Sequence, residues 1–134
     1  MGSIRITPIV GELYPGHAGA TSRAYFAFLD RNTRNQLLMT RPRAKYGEFT
    51  VTDIAELDKL FAQTATQGFA YSLGEYDPST RALAAPVRAG NLLLGSLSIV
   101  ERKLDQPDDL LDYLPNLLEA ADELGRRLTG SHSF

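Results

Sequence analysis

Cysteine and tryptophan are absent from this 134-residue sequence, and methionine occurs only twice. Without cysteine the chain has no disulfide, no thiolate nucleophile and no cysteine-ligated zinc, as is usual for a protein of the reducing cytoplasm. No apolar run approaches the roughly 18 residues that a membrane-spanning helix requires. We therefore expect a cytoplasmic protein that makes no membrane contact.

An excess of positive charge is also lacking, since the formal net charge is −2 and the isoelectric point is about 5.6. A domain that binds nucleic acid without the help of another domain is normally basic. Arg41, Arg43 and Lys45 form one small basic cluster around Pro42, and either a nucleic-acid patch or a solvated loop is possible there. The solvated loop is the stronger interpretation, because charges flanked by turn residues are common on surfaces.

What is present is an ordinary globular composition, 43% hydrophobic and 22% charged. A chain of this length typically forms one domain around one core. We predict that this domain spans residues 1–130 and that residues 131–134 form a disordered tail.

Two helices are predicted in the first third of the chain. The apolar spacing favours one helix from about Ala20 to Leu29, whose start Thr21 or Ser22 would cap. A second, shorter helix is predicted over Thr33–Met39, with Asn32 as its cap.

The clearest helix signal lies in the middle of the sequence. Asp53 precedes Glu56 by three residues, as in a capping box, and Gly68 is placed to end the helix in a left-handed conformation. The positions between them repeat with helical period and form one apolar face: Ile54, Leu57, Leu60, Phe61 and Ala65.

Alternating and branched residues predict four strands: Ile4–Val10 (interrupted at Pro8), Phe69–Leu73, Ala82–Val87 and Leu92–Val100. In the last strand Leu93, Gly95, Leu97 and Ile99 share one face; Leu92, Leu94, Ser96, Ser98 and Val100 share the other. Neither face is strongly polar, so we expect helices on both sides of the sheet, or a ligand on one.

A long C-terminal helix is expected to open at Pro107 and to be kinked or restarted at Pro115. Its predicted buried stripe is Leu110, Leu114, Leu117, Leu118, Ala121, Leu124 and Leu128. The order of elements indicates an α+β fold with an antiparallel sheet.

Four blocks in order resemble one known family. The segment PGHAGATSRA (15–24) is similar to the Pro-x-His-Ala-Ser/Thr-Ala-x-Gly-Lys-Ala loop of the IclR family of bacterial transcription regulators. GFA (68–70), ALAAPV (82–87) and LGSLSI (94–99) resemble its Gly-Tyr-Ala, Ile-Ala-Ala-Pro-Val and Val-Gly-Ala-Leu-Ser-Val blocks. Gly19 and Ser22 depart from the usual hydroxyl and glycine of the loop.

This resemblance implies a GAF/PAS-like sensor domain that binds a small organic effector, often a carboxylate or an aromatic acid, between its sheet and the loop before the first helix. It implies a homodimer or homotetramer that contacts DNA only through a helix-turn-helix domain, which this chain lacks. Because family members carry more chain before the point that matches Ile4, we expect an N-terminally truncated sensor domain.

Effector contacts carried over from the family fall on eight positions: Ile6, Ala20, Thr21, Ser72, Thr80, Ala82, Ser98 and Val100. The loop into the first helix also favours an anion, because helix N-termini present unpaired N–H groups, although Thr21 and Ser22 could instead be ordinary caps. Val100 stands where the family often has serine, and this apolar replacement points toward an aromatic effector. No cofactor and no metal are expected.

Two other functions remain open. An enzyme would use His17 with serine or threonine hydroxyls, but the sequence offers no recognisable catalytic set. We expect His17 to be structural, hydrogen-bonding its loop to the sheet. A ligand-free oligomerisation module would instead bury Ala20, Thr21, Ser72 and Ser98 against one another. A weak surface ion pair between Glu75 and Arg81 is also expected.

Overall fold

A computed structural model of the chain describes residues 4–8, 15–40, 42–102 and 109–129, the first range as backbone only. Among these residues the strands are Ile4–Pro8 (β1), Ala70–Leu73 (β2), Thr80–Ala89 (β3) and Leu92–Arg102 (β4). The helices are Ala20–Phe26 (α1), Arg31–Met39 (α2), Ile54–Gln67 (α3) and Leu114–Thr129 (α4). All strand pairs are antiparallel and the sheet order is β1-β4-β3-β2, so the predicted α+β class is confirmed.

Helices cover both faces of this sheet. Alternate residues of β3 point to opposite sides of the sheet. Leu83 and Val87 belong to a core of branched aliphatic side chains that packs against α4. Ala82 and Ala84 face the other way and pack against Ala20 and its neighbours in α1. The expectation of two covered faces is confirmed.

A β-bulge in β4 changes the face of one predicted residue. Val87 pairs with Gly95 and Arg88 pairs with Leu93, which leaves Leu94 without a partner in the register. Leu94 therefore packs against the core beneath α4. The prediction that Leu94 shares a face with Ser96 and Ser98 was wrong, because strict alternation fails at a bulge.

The predicted start and end of α3 are confirmed. The Asp53 carboxylate accepts a hydrogen bond from the Glu56 N–H at 3.1 Å, and Gly68 ends the helix with φ of 89°. In α2, however, the cap is Asp30, whose side chain accepts from the N–H of Thr33. The prediction of Asn32 was wrong, because a cap at Asp30 places Asn32 inside the first helical turn.

Replacing Asp53 by alanine should lower the free energy of unfolding by about 1 kcal/mol, since a lost N-cap acceptor leaves a helical N–H unpaired. Urea denaturation followed by circular dichroism would measure this loss. Thr66→Ala, an exposed change in the same helix, is the control and should cost nothing. Equal stabilities for the two variants would contradict the capping role.

The C-terminal helix restarts at Pro115 and is not kinked there, which is one of the two predicted alternatives. A short 3-10 turn over Leu110–Tyr113 comes first, and Pro115 is the second residue of α4, where its missing N–H costs nothing. Leu118 and Leu128 are 40% and 53% exposed. The prediction that they belong to the buried stripe was therefore wrong.

The buried side of α4 lies unusually close to β3. A Cβ atom built on Gly125 would overlap the carbonyl oxygen of Arg88 and lie 3.0 Å from its carbonyl carbon. Glycine therefore sets the distance between this helix and the sheet. In the described part of the chain, no helix has the length and apolar character that a membrane crossing requires.

Candidate functional site

A cavity of about 250 Å³ lies between α1 and the sheet face that α1 covers. Its lining comes from the start of α1, from β2 with the turn after it, and from β3 and β4: Ala18, Gly19, Ala20, Thr21, Ser22, Ser72, Glu75, Tyr76, Asp77, Thr80, Ala82, Ser98 and Val100. Seven of the eight candidate effector residues are in this set. The eighth, Ile6, has its side chain outside the described residues.

The sheet register explains how distant parts of the sequence meet at this cavity. Ser72 on β2 pairs with Ala82 on β3, and Ala82 pairs with Val100 on β4. These three residues form a row across the cavity floor. Because neighbouring strands lie about 4.8 Å apart, the β2 end and the β4 end of the floor are separated by about 10 Å.

The assignment of Ile6 to the cavity wall stays a prediction. In β1 the backbone of Ile6 pairs with Ile99, while Arg5 is the residue paired with Val100. The side chain of Ile99 lies in the core under α4.

Hydroxyl groups tie the start of α1 to the strands on either side. The Ala20 N–H donates to Ser72 Oγ at 2.9 Å, and the Thr21 hydroxyl donates to Ser98 Oγ at 3.0 Å. The Ser96 hydroxyl donates to the Thr21 carbonyl oxygen at 2.8 Å. The N-cap position is Gly19, with φ of 93° and no side-chain cap bond, so Thr21 and Ser22 are not the caps of this helix.

These contacts match the packing expected of a collapsed pocket only in part. Ser72 and Ser98 are buried, and each meets the start of α1 through a hydrogen bond. The cavity nevertheless stays open beyond these bonds, because the apolar floor at Ala82 and Val100 is not filled by any of them.

The carboxylate of Glu75 is the main feature of the site that sequence reasoning missed. Its Oε1 forms an ion pair with Arg23 Nη2 and accepts a 3.4 Å hydrogen bond from the Gly19 N–H. The Arg23 and Glu75 side chains are only 5% and 12% exposed. Arg23 also donates from Nη1 to the Tyr71 carbonyl oxygen at 3.2 Å, so the pair links α1 to the chain around β2.

The predicted pairing of Glu75 with Arg81 was wrong, because each has a different buried partner. Arg81 is opposite Glu101 in the register and donates to its Oε1 from Nε at 2.7 Å. Burial lowers the pKa of the Arg81 guanidinium, but hydrogen bonds to Glu101 and Tyr71 outweigh burial and hold this pKa above its ordinary value. No local pattern in the sequence announces either pairing.

His17 is buried and connects its loop to a distant segment of the chain. Its Nε2–H donates to the Ala44 carbonyl oxygen at 2.7 Å, and its ring stacks on Tyr46 at a centroid distance of 5.8 Å. His17 therefore links its loop to the segment before α3. The prediction that it would hydrogen-bond the loop to the sheet was wrong. No group of three or more metal-ligating side chains occurs among residues 15–40, 42–102 and 109–129.

One residue of the basic cluster, Arg43, makes two structural hydrogen bonds near the His17 loop. Arg43 donates from Nε to the Thr52 carbonyl oxygen at 2.8 Å and from Nη1 to the Leu38 carbonyl oxygen at 3.4 Å. Two nitrogen atoms of its guanidinium thus donate hydrogen bonds to the backbone of the same domain. Arg41 lies outside the described residues.

Comparison with known proteins identifies the family. The model of the bacterial transcriptional regulator IclR C-terminal domain matches residues 1–126. The chain belongs to the IclR family. The resemblance read from the four sequence blocks is thereby confirmed.

One curated relative of this IclR-family chain is the Pca operon regulatory protein of Acinetobacter baylyi. It is 27% identical over 118 residues, which cover 86% of this chain and 42% of that protein. The chain spans about half or less of the curated relatives that it matches. These relatives are transcriptional regulators.

Solved structures of the family share the fold. One is a double mutant of the inducer-binding domain of PobR from Acinetobacter, in complex with 3-hydroxybenzoic acid; it has a TM-score of 0.77 and 22% identity, and the match covers 87% of this chain and 69% of that one. Another is an IclR homologue from Microbacterium hydrocarbonoxydans in complex with 4-hydroxybenzoate, with a TM-score of 0.75, 23% identity, and coverage of 90% and 50%.

Proposed function

We propose that this chain is the sensing domain of an IclR-type regulator and that it binds a small organic acid in the cavity between α1 and the sheet. The observation that carries this proposal is that four residues with hydroxyl groups, Thr21, Ser72, Thr80 and Ser98, line one cavity around an apolar floor. Small-molecule sites commonly combine an apolar frame with a few convergent polar groups. Residues Ile6, Ala20, Thr21, Ser72, Thr80, Ala82, Ser98 and Val100 are the proposed effector contacts.

An aromatic acid is the effector class that we favour. The floor is apolar at Ala82, its middle residue, and at Val100 on β4, so a flat ring gains contact there without leaving a polar group unpaired. The hydroxybenzoates bound to two structural neighbours support the same class.

The wider setting of the domain is part of this proposal. A cytoplasmic homodimer or homotetramer would transmit effector binding to DNA through a helix-turn-helix domain of the parent protein. An enzymatic role has less support, because the Nε2 atom of His17 is engaged with Ala44 and the curated relatives are regulators.

A thermal-shift titration with 3-hydroxybenzoate and 4-hydroxybenzoate tests the proposal. A ligand present at 100 times its Kd should stabilise the chain by about 2.7 kcal/mol, which raises the Tm of a domain of this size by roughly 5–15 °C. Sodium chloride at the same ionic strength is the control for salt effects. If no aromatic or aliphatic carboxylate raises the Tm, the ligand-free oligomerisation module becomes the better account.

A further inference from the structure

The β2 end of the cavity carries a carboxylate oxygen that the fold leaves available. Glu75 lines the cavity, and its Oε1 is held by Arg23 and the Gly19 N–H. Among the described residues its Oε2 receives no hydrogen bond, although the side chain is only 12% exposed. An ionised carboxylate is an acceptor only, so a ligand atom at this end completes the site by donating to it.

We infer that Glu75 is a specificity-determining residue, which selects effectors that present a hydrogen-bond donor to the β2 end and rejects effectors that present an anion there. This inference rests on the proposed function of the same cavity. A donor facing Glu75 would gain a charge-assisted hydrogen bond, the stronger kind. A second carboxylate would face Oε2 with no proton to donate, so two acceptor oxygens would repel each other there, even though Arg23 balances the overall charge of Glu75.

The opposite end of the cavity suits the acidic group of the effector. Thr21 lies there beside β4 and its hydroxyl hydrogen, now given to Ser98 Oγ, can rotate toward a bound oxygen. The two ends are about two strand spacings apart, or about 10 Å. The preferred effector therefore has a carboxylate at one end, a hydroxyl or amino group at the other, and an apolar frame between them.

Arg23 determines what happens when the Glu75 charge is removed. Its guanidinium is almost fully buried and has Glu75 as its ion-pair partner. In a Glu75→Gln variant the side chain keeps its shape but loses its charge, so the positive charge of Arg23 is no longer balanced. The β2 end then changes from repelling an anion to attracting one.

Isothermal titration calorimetry with matched pairs of ligands tests this selection. One pair is 4-hydroxybenzoate and terephthalate, which share a ring and differ at one end; the other is 4-hydroxybutyrate and succinate. In the unaltered chain the hydroxy acid of a pair should bind at least about tenfold tighter than the diacid. In Glu75→Gln this preference should vanish or reverse.

Asp77→Asn is the matched control. Asp77 lines the same cavity, but it is exposed to solvent, which screens its charge, and it has no ion pair with Arg23. Removing its charge should leave the preference for the hydroxy acid intact. If Glu75→Gln does not fold because Arg23 is left unpaired, the double variant Arg23→Met/Glu75→Gln removes both charges, and it should bind both members of a pair within about threefold of each other.

The possible results distinguish a failure of the proposed function from a failure of the role assigned to Glu75. If neither member of either pair binds, the proposed function fails and the selectivity of Glu75 fails with it. If ligands bind, but the diacid binds as tightly as the hydroxy acid or Glu75→Gln leaves their ratio unchanged, the sensing function stands and the role assigned to Glu75 is overturned.

Discussion

Gly125→Ala is expected to lower the free energy of unfolding by about 3 kcal/mol, the upper part of the usual range for overpacking. The added methyl group would overlap the carbonyl oxygen of Arg88. Because this obstacle is backbone, no side-chain rotation relieves it, and α4 must move away from β3. Alanine is the better helix former by about 1 kcal/mol, so a net loss would show that the close approach outweighs propensity. Urea denaturation would measure the difference.

Gly95→Ala is the matched control for this result. Nothing lies within 4 Å of a Cβ built at Gly95, and its φ is not in the left-handed range. The change should leave stability unaltered or raise it by about 0.5 kcal/mol, since alanine restricts the unfolded chain. If the Gly125 and Gly95 variants unfold at the same urea concentration, the helix is not held at the distance described.

Ala82→Leu should weaken binding of any effector that fits the cavity by about a hundredfold, or about 2.8 kcal/mol, and should leave the fold stable. Ala82 is the middle residue of the cavity floor. Ala82 packs against α1 but also lines the cavity of about 250 Å³, so a larger apolar side chain there can extend into the cavity and occupy the effector site. Calorimetry with 4-hydroxybenzoate would measure the loss of affinity, and thermal melting would measure stability.

The same substitution on the other face of β3 provides the comparison. Ala85 is buried in the core beneath α4 and does not line the cavity under α1. Ala85→Leu should therefore destabilise the chain by about 1–3 kcal/mol through overpacking. If Ala82→Leu is destabilised as strongly as Ala85→Leu, or binds 4-hydroxybenzoate as well as the unaltered chain does, the cavity is not the binding site.

Elements whose signals are local could be predicted from the sequence. The cap at Asp53 and the ending at Gly68 mark α3, because both act within one helical turn. The strands and the covering of both sheet faces follow from short-range alternation. The candidate contacts on β2, β3 and β4 came from the family resemblance, and the register then places three of them in one row.

Features that depend on distant residues were missed or misread. Glu75 was paired with its near neighbour Arg81, whereas the fold brings it to Arg23, 52 residues away. The bulge at Leu94 depends on how two strands align, which the sequence of one strand does not contain. For His17, the partner is the Ala44 carbonyl in a distant loop, and backbone acceptors leave no signature in sequence.

The two layers that cover the sheet differ in stiffness. The α4 side is filled by leucine, isoleucine and valine, while the α1 side is filled largely by alanine. Moving α4 would forfeit many close contacts, because a large buried side chain touches dozens of atoms. Moving α1 forfeits fewer, and the hydroxyl bonds at Thr21 are each worth only about 1 kcal/mol net. We therefore expect α1 to shift more easily relative to the sheet than α4 does, and α1 is the helix that lies over the cavity.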